Sequence, residues 1–247
     1  MYDRDELVAH AKQCYPSEAC GVISNGKLIP IKNVSTRPQD GFVMCPLELG
    51  EIMDGQPIDA VFHSHPDDTA SPSDHDIARM NRSENKVPWV IVSYPDVDIT
   101  VTYPKSEPPL IGRRFVHGVD DCYGVVRDFY RKKLGIELTN YHRDDNWWEQ
   151  GENLYLDNYE AEGFYEVSMD DLQYGDFILM QVLSNTVNHA AIYLGDGKIL
   201  HHLYDRLSRV DIYGGYWLER TARTLRHKCY NVAKVLPLTD EDYADNY

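Results

Sequence analysis

A chain of 247 residues with 43% hydrophobic and 11% aromatic content exceeds the usual size of one domain, so two folded domains are expected and disorder is excluded. Forty acidic against 24 basic residues give a formal charge of -16, which leaves no electrostatic footprint for nucleic acid and predicts basic partners. No stretch approaches the roughly 18 apolar residues of a membrane span, and Met1-Tyr2-Asp3-Arg4-Asp5 does not open a secretory signal. The chain is therefore expected to be made in the cytoplasm, with something else carrying it to any substrate outside the cell.

In chain order, Asp5 to Gln13 has helical spacing of Leu7, Val8 and Ala11, stopped by Pro16. Strand-like runs follow at Cys20–Ser24, Leu28–Ile31, Asp59–His63, Trp89–Ser93 and Ile99–Tyr103, with a helix over Ser73–Arg82 capped by Ser73. This outlines an α/β domain over 1–104. The proline-rich segment 105–112 reads as a stiff connector. A domain over 113–238 then opens with a helix from Cys122 to Leu134 and continues into strands at Asp176–Leu183, His189–Leu194 and Lys198–His202, an α+β order. Residues 239–247 read as a solvated acidic tail.

Five cysteines without C-x-x-C spacing argue against a disulfide framework or a cysteine zinc site. Cys14, Cys20, Cys45 and Cys229 are expected as small buried residues. Cys122 stands apart because it begins a helix.

In the first domain, His63 and His65 alternate on a strand, so both imidazoles leave one face and can converge on a metal. Asp76, one turn into the next helix, can add a carboxylate and leave the fourth position of a tetrahedral zinc to water. Asp74 and His75 are also metal-capable, but the spacing from Ser73 favours Asp76; Asp67 and Asp68 are assigned to a solvated loop. Glu18 can take the water's proton and pass it to the leaving amine, and Ser73 can donate to the oxyanion. The spacing His-x-His-x7-Ser-x2-Asp is similar to the signature of the JAMM (Mov34/JAB1) metallopeptidases, and Pro16-Ser17-Glu18-Ala19-Cys20-Gly21 resembles their glutamate segment. The resemblance covers about residues 1–104. It implies a JAMM-like (cytidine-deaminase-like) fold, one zinc and hydrolysis of peptide or isopeptide bonds.

In the second domain, a helix N-terminus lowers the pKa of a thiol such as Cys122. His189 begins a strand, and a hairpin brings His201 beside it to orient the ring, giving a Cys/His/polar triad. His202 is the alternative to His201, read more simply as an outward-facing strand residue, and Asp121 is expected as an N-cap. The segments Asp121–Val126, Tyr174–Leu179 and His189–Gly197 resemble the three motif blocks of the NlpC/P60 peptidases. That likeness spans about 113–238 and implies a papain-like cysteine hydrolase acting on peptidoglycan stem peptides. Two positions depart from the family. Tyr123 stands where a small residue is usual and is expected to narrow the approach to the nucleophile, and Leu110 replaces a tyrosine, which leaves the oxyanion stabiliser unassigned.

The fusion of the two domains, together with Phe115–Tyr130, resembles the phage tail assembly protein K family. That implies a place at the virion tail tip, other tail-tip proteins and peptidoglycan as partners, and delivery from the host cytoplasm to the periplasm on infection. Three roles follow: a wall-cleaving peptidase, a zinc peptidase processing a tail-tip protein, or a catalytically silent assembly factor.

Overall fold

The computed structural model describes residues 2–53, 55–231 and 234–245. The chain divides into two compact units, Met1–Glu107 and Pro108–Tyr247.

In the first unit, helix α1 (Arg4–Cys14) is followed by strands β1 (Cys20–Ser24) and β2 (Lys27–Ile31), helix α2 (Pro46–Met53), strand β3 (Ala60–Pro66), helix α3 (Asp74–Arg82) and strands β4 (Trp89–Tyr94) and β5 (Ile99–Thr102). The sheet order is β2-β1-β3-β4-β5, with β3 and β4 parallel and the other pairs antiparallel. All five residues of β1 are buried, and Leu7 and Ala11 of α1 close a core with Ile23, Phe62, Val90 and Val92. The parallel β3–β4 pair needs a crossover, and α3 supplies it, so α3 starts just beyond the end of β3. That connection brings Asp76 back to the histidines. Only α2 was not anticipated from the sequence.

In the second unit, helix α4 (Cys122–Phe129) runs on as one π-helical turn over Tyr130–Leu134 and stops at Gly135, a left-handed residue with φ 67°. Helix α5 (Leu154–Asn158), strands β6 (Phe164–Glu166), β7 (Phe177–Met180), β8 (His189–Tyr193), β9 (Lys198–His201) and β10 (Arg209–Ile212), helix α6 (Tyr216–Glu219) and strand β11 (Thr221–His227) follow. The sheet order is β10-β9-β8-β7-β11-β6, antiparallel throughout. One sheet face, through Leu179, Ala190, Ile192, Leu200 and Leu225, joins Val125, Val126 and Phe129 of α4 in the main core. The other face carries Ile178, Met180, Ala191 and Ile199 under Tyr213 and Trp217. The strands β6, β10 and β11 were not anticipated, because they are short or mixed in composition.

Several expectations change. Leu110 and Ile111, within the expected connector, are fully buried in the core of the second unit. The acidic ending is not simply solvated: Asp242 is 5% exposed and accepts a hydrogen bond from Lys133 Nζ at 2.5 Å, while the Ala244 N–H donates to Ile111 O. A buried ammonium needs a counter-charge, and Asp242 is the one that reaches it. Asn246 and Tyr247 lie outside the described residues. Cys20 is buried as expected, but Cys14 and Cys45 are half-buried and Cys229 is exposed.

Candidate active sites

The first site is assembled on β3. Ala19 N–H donates to Ser64 Oγ at 2.8 Å, and Ser64 N–H donates to Ala19 O, which pins the Glu18 segment beside the two histidines. The Nε2 atoms of His63 and His65 lie 3.0 Å apart, and each lies 3.3 Å from an oxygen of Asp76. Among the described residues these three side chains form one group able to hold a metal; Asp74 and His75 are exposed and outside it.

Three lone-pair donors converging this closely suit a small divalent cation of zinc's ligand preference. His65 adds a second observation: its Nδ1 donates to Thr69 O at 2.8 Å, leaving the Nε2 lone pair free toward the group. His63 Nδ1 is buried with no hydrogen-bond partner among the described residues, and its ring stacks on Phe42 at 4.7 Å. The donor set fits a zinc ion.

Ser73 N-caps α3, and both its N–H and its hydroxyl donate to Asp76 Oδ2, at 2.8 and 2.7 Å. Its proton is thus directed at Asp76, an orienting position rather than a free donor. Burial pushes the Asp76 carboxyl up, but the adjoining imidazoles of His63 and His65, with the Ser73 hydroxyl, outweigh it and hold the group well below the usual range. Glu18 is buried, and burial pushes its carboxyl up to about 8 against the attraction of His65. Asp67 and Asp68 are exposed, and Asp67 accepts a hydrogen bond from Tyr15.

The second site lies at the N-terminus of α4. Asp121 caps the helix, accepting from Gly124 N–H at 2.7 Å, and also accepts from Gly118 N–H and Arg143 Nε at 2.8 Å each. A Cβ on Gly124 would meet Val119 O at 2.3 Å, so the turn before the helix packs this closely only over glycine. Cys122 is therefore held by a buried, fully bonded cap. Its sulfur lies 3.3 Å from Tyr155 Oη and beside the Ala190 backbone N–H.

The expected depression of the thiol's pKa is reversed. Burial, and then the Asp121 charge, push Cys122 up to about 11, outweighing the helix N-terminus. Tyr123, expected to crowd the nucleophile, points inward instead; it is 5% exposed and donates to Thr139 O.

His189 and His201 are brought together, Nε2 to Nδ1, at 3.0 Å. Both are buried and both have lowered pKa values, chiefly through burial. Trp217 stacks on His189 with ring centroids 6.0 Å apart and meets His201 edge-on at 4.6 Å. No hydrogen bond joins Cys122 to His189 among the described residues; the thiol lies beside the backbone N–H of Ala190, the residue next to His189 on β8. In resting enzymes such catalytic contacts are often longer than hydrogen bonds. His202 is fully buried rather than outward-facing, donating from Nε2 to Arg206 O.

Residues 112–226 match the NlpC/P60 family, and residues 2–102 match the prokaryotic homologs of the JAB domain. The chain is thus a JAB-like α/β domain followed by an NlpC/P60 domain, the latter from a family of peptidases and hydrolases. It is 39% identical to tail tip assembly protein K of Escherichia phage N15 over 232 residues, covering 91% of this chain and 93% of that one. It is 41% identical to tail tip assembly protein K of Escherichia phage lambda over 174 residues, covering 70% of this chain and 84% of the relative. Among solved structures, a protein of the NLP/P60 family from Staphylococcus aureus subsp. aureus Mu50 is 25% identical, with TM-score 0.36, over 48% of this chain and 37% of that one. The chain belongs to the tail tip assembly protein K family.

Proposed function

We propose that this protein is a tail-tip component of a phage whose NlpC/P60 domain hydrolyses peptidoglycan stem peptides, acting in tail assembly, in wall penetration or in both. The observation that carries the reading is Cys122 at a capped helix N-terminus beside strand β8, whose first residue, His189, is bonded to His201 at the end of β9. The Cys122 sulfur attacks the scissile carbonyl, His189 takes the thiol proton and returns it to the leaving amine, and His201 orients His189. With both partners neutral at rest, proton transfer accompanies attack rather than preceding it. The Tyr155 hydroxyl, beside the sulfur, is the side-chain donor for the developing oxyanion.

In the JAB-like domain, His63, His65 and Asp76 would hold one zinc, which supplies Lewis-acid activation of water when bound. Glu18, with its raised carboxyl interacting with His65 and Asp76, would serve as the proton carrier of this site, and Ser73 holds Asp76 in orientation. Its substrate class is a peptide or isopeptide bond, in a tail-tip protein partner. On this reading the protein is made in the host cytoplasm, is carried at the virion tail tip and reaches the periplasm on infection.

The test is mass spectrometry of Gram-negative peptidoglycan incubated with the wild-type protein, Cys122→Ala or His63→Ala. New stem-peptide fragments lost only with Cys122→Ala support the reading. Fragments lost only with His63→Ala would move the activity to the zinc site. No fragments from the wild-type protein would favour a silent assembly factor.

A further inference from the structure

The histidine row ends on a carboxylate. His201 Nε2 lies 3.0 Å from Asp211 Oδ2, and the same oxygen accepts from Arg209 Nε at 3.0 Å and Nη2 at 2.7 Å. Strand register explains the row. His189 sits two residues before Ala191, which pairs with His201; His201 pairs with Arg209, and Asp211 lies two residues further along β10. With side chains alternating along each strand, all four leave the same face of the sheet.

An ionised carboxylate has no proton to give, so the hydrogen of this contact belongs to His201 Nε2. A neutral imidazole carries one N–H, which leaves a lone pair on His201 Nδ1. That nitrogen must then accept from His189 Nε2, and the lone pair of His189 is left on Nδ1. Burial favours the neutral form of both rings, and Trp217, packed on both, limits the water that could offer their nitrogens another partner.

We propose that Asp211, held by Arg209, is the positioning residue that sets the tautomers of His201 and His189 and leaves His189 Nδ1 as the nitrogen able to take a proton. Without an acceptor at position 211 the row can run the other way. His201 Nδ1–H then donates to His189 Nε2, and the His189 hydrogen moves to Nδ1, where it blocks general-base action. The meaning of this lock for catalysis rests on reading His189 as the base; the tautomers themselves do not.

The experiment is nitrogen NMR of the full chain labelled with ¹⁵N-histidine, with the two rings assigned from His189→Gln and His201→Gln. Both rings of the wild type are expected to carry hydrogen on Nε2 and a bare Nδ1. In Asp211→Ala both should become tautomer mixtures, with kcat on stem-peptide substrate falling about tenfold, as a tautomer bias of roughly 1.4 kcal/mol would give, and KM unchanged. Asp211→Leu, close in shape and without an acceptor, is read in the same way if the alanine variant does not fold. A His189 Nδ1–H in the wild type, or tautomers unchanged without the carboxylate, overturns the proposal. Failure of the wild type to cleave peptidoglycan would remove the base role of His189, while the NMR pattern would still decide what Asp211 does.

Discussion

Tyr155 places its hydroxyl 3.3 Å from the sulfur of Cys122, although 33 residues separate them in the chain. The phenol comes from α5, behind the nucleophile in sequence, while position 110, where the NlpC/P60 resemblance led us to expect a tyrosine, holds a buried leucine. Tyr155→Phe should lower kcat by about tenfold or more, as loss of an oxyanion donor does, and change stability by only about 1 kcal/mol. Steady-state rates beside urea denaturation separate the two effects.

The thiol at Cys122 titrates late. Because its pKa is pushed up to about 11, the alkylation rate of Cys122, followed by peptide mass spectrometry, should keep climbing well beyond pH 8.5, where a free thiol is half ionised. The folded pKa lies above the unfolded one, so the contribution to stability is fully present below about pH 8.5 and is lost as pH rises toward 11. Cys122→Ala should flatten the alkaline fall in Tm. A rate that levels off below pH 8 would contradict the neutral resting thiol.

Arg143 and Asp121 form a buried ion pair, with side chains 4% and 3% exposed. Arg143→Met strands the carboxylate that caps α4 and should cost about 3–5 kcal/mol. Combining it with Asp121→Asn should recover part of that loss. Chemical denaturation of the three variants reads the coupling directly.

The same logic applies to Lys133 and Asp242, 109 residues apart and 2.5 Å in contact. Asp242→Ala should destabilise the second unit by about 3–5 kcal/mol, seen as a lower denaturation midpoint, with no change in the thermal transition of the first.

Zinc should stabilise the first unit alone. At a hundredfold excess over Kd the gain is about 2.7 kcal/mol, and His63→Ala should abolish it. Calorimetry with and without chelator checks this, and the chelator should leave peptidoglycan release unchanged.

The first site was legible in the sequence because its geometry is local. His63 and His65 share a strand, and Ser73 and Asp76 share a helix start, so period and capping chemistry place them. Cys122 at the start of α4 and the facing pair His189 and His201 follow from a capped helix and a hairpin in the same way. Tyr155 and Asp211 were not legible. The first acts through a tertiary contact between two helices, and the second sits on a four-residue strand, Arg209-Val210-Asp211-Ile212, with no clear alternation. The pKa of Cys122 was misjudged because sequence shows the helix N-terminus but not the depth of burial. Asp242 looked solvated because its partner is so distant in the chain.

The position of β11 has a consequence for how the second unit is made. β6 pairs with β11 alone, and β11 is the last strand synthesised yet lies between β6 and β7. A chain leaving the ribosome can zip β7 to β10 in order, but β6 waits unpaired until residues 221–227 emerge and insert between strands already present. The sheet is therefore completed only once residues 221–227 are available, and a released chain truncated before residue 221 should stay protease-sensitive around residues 164–166 while β7 to β10 are protected.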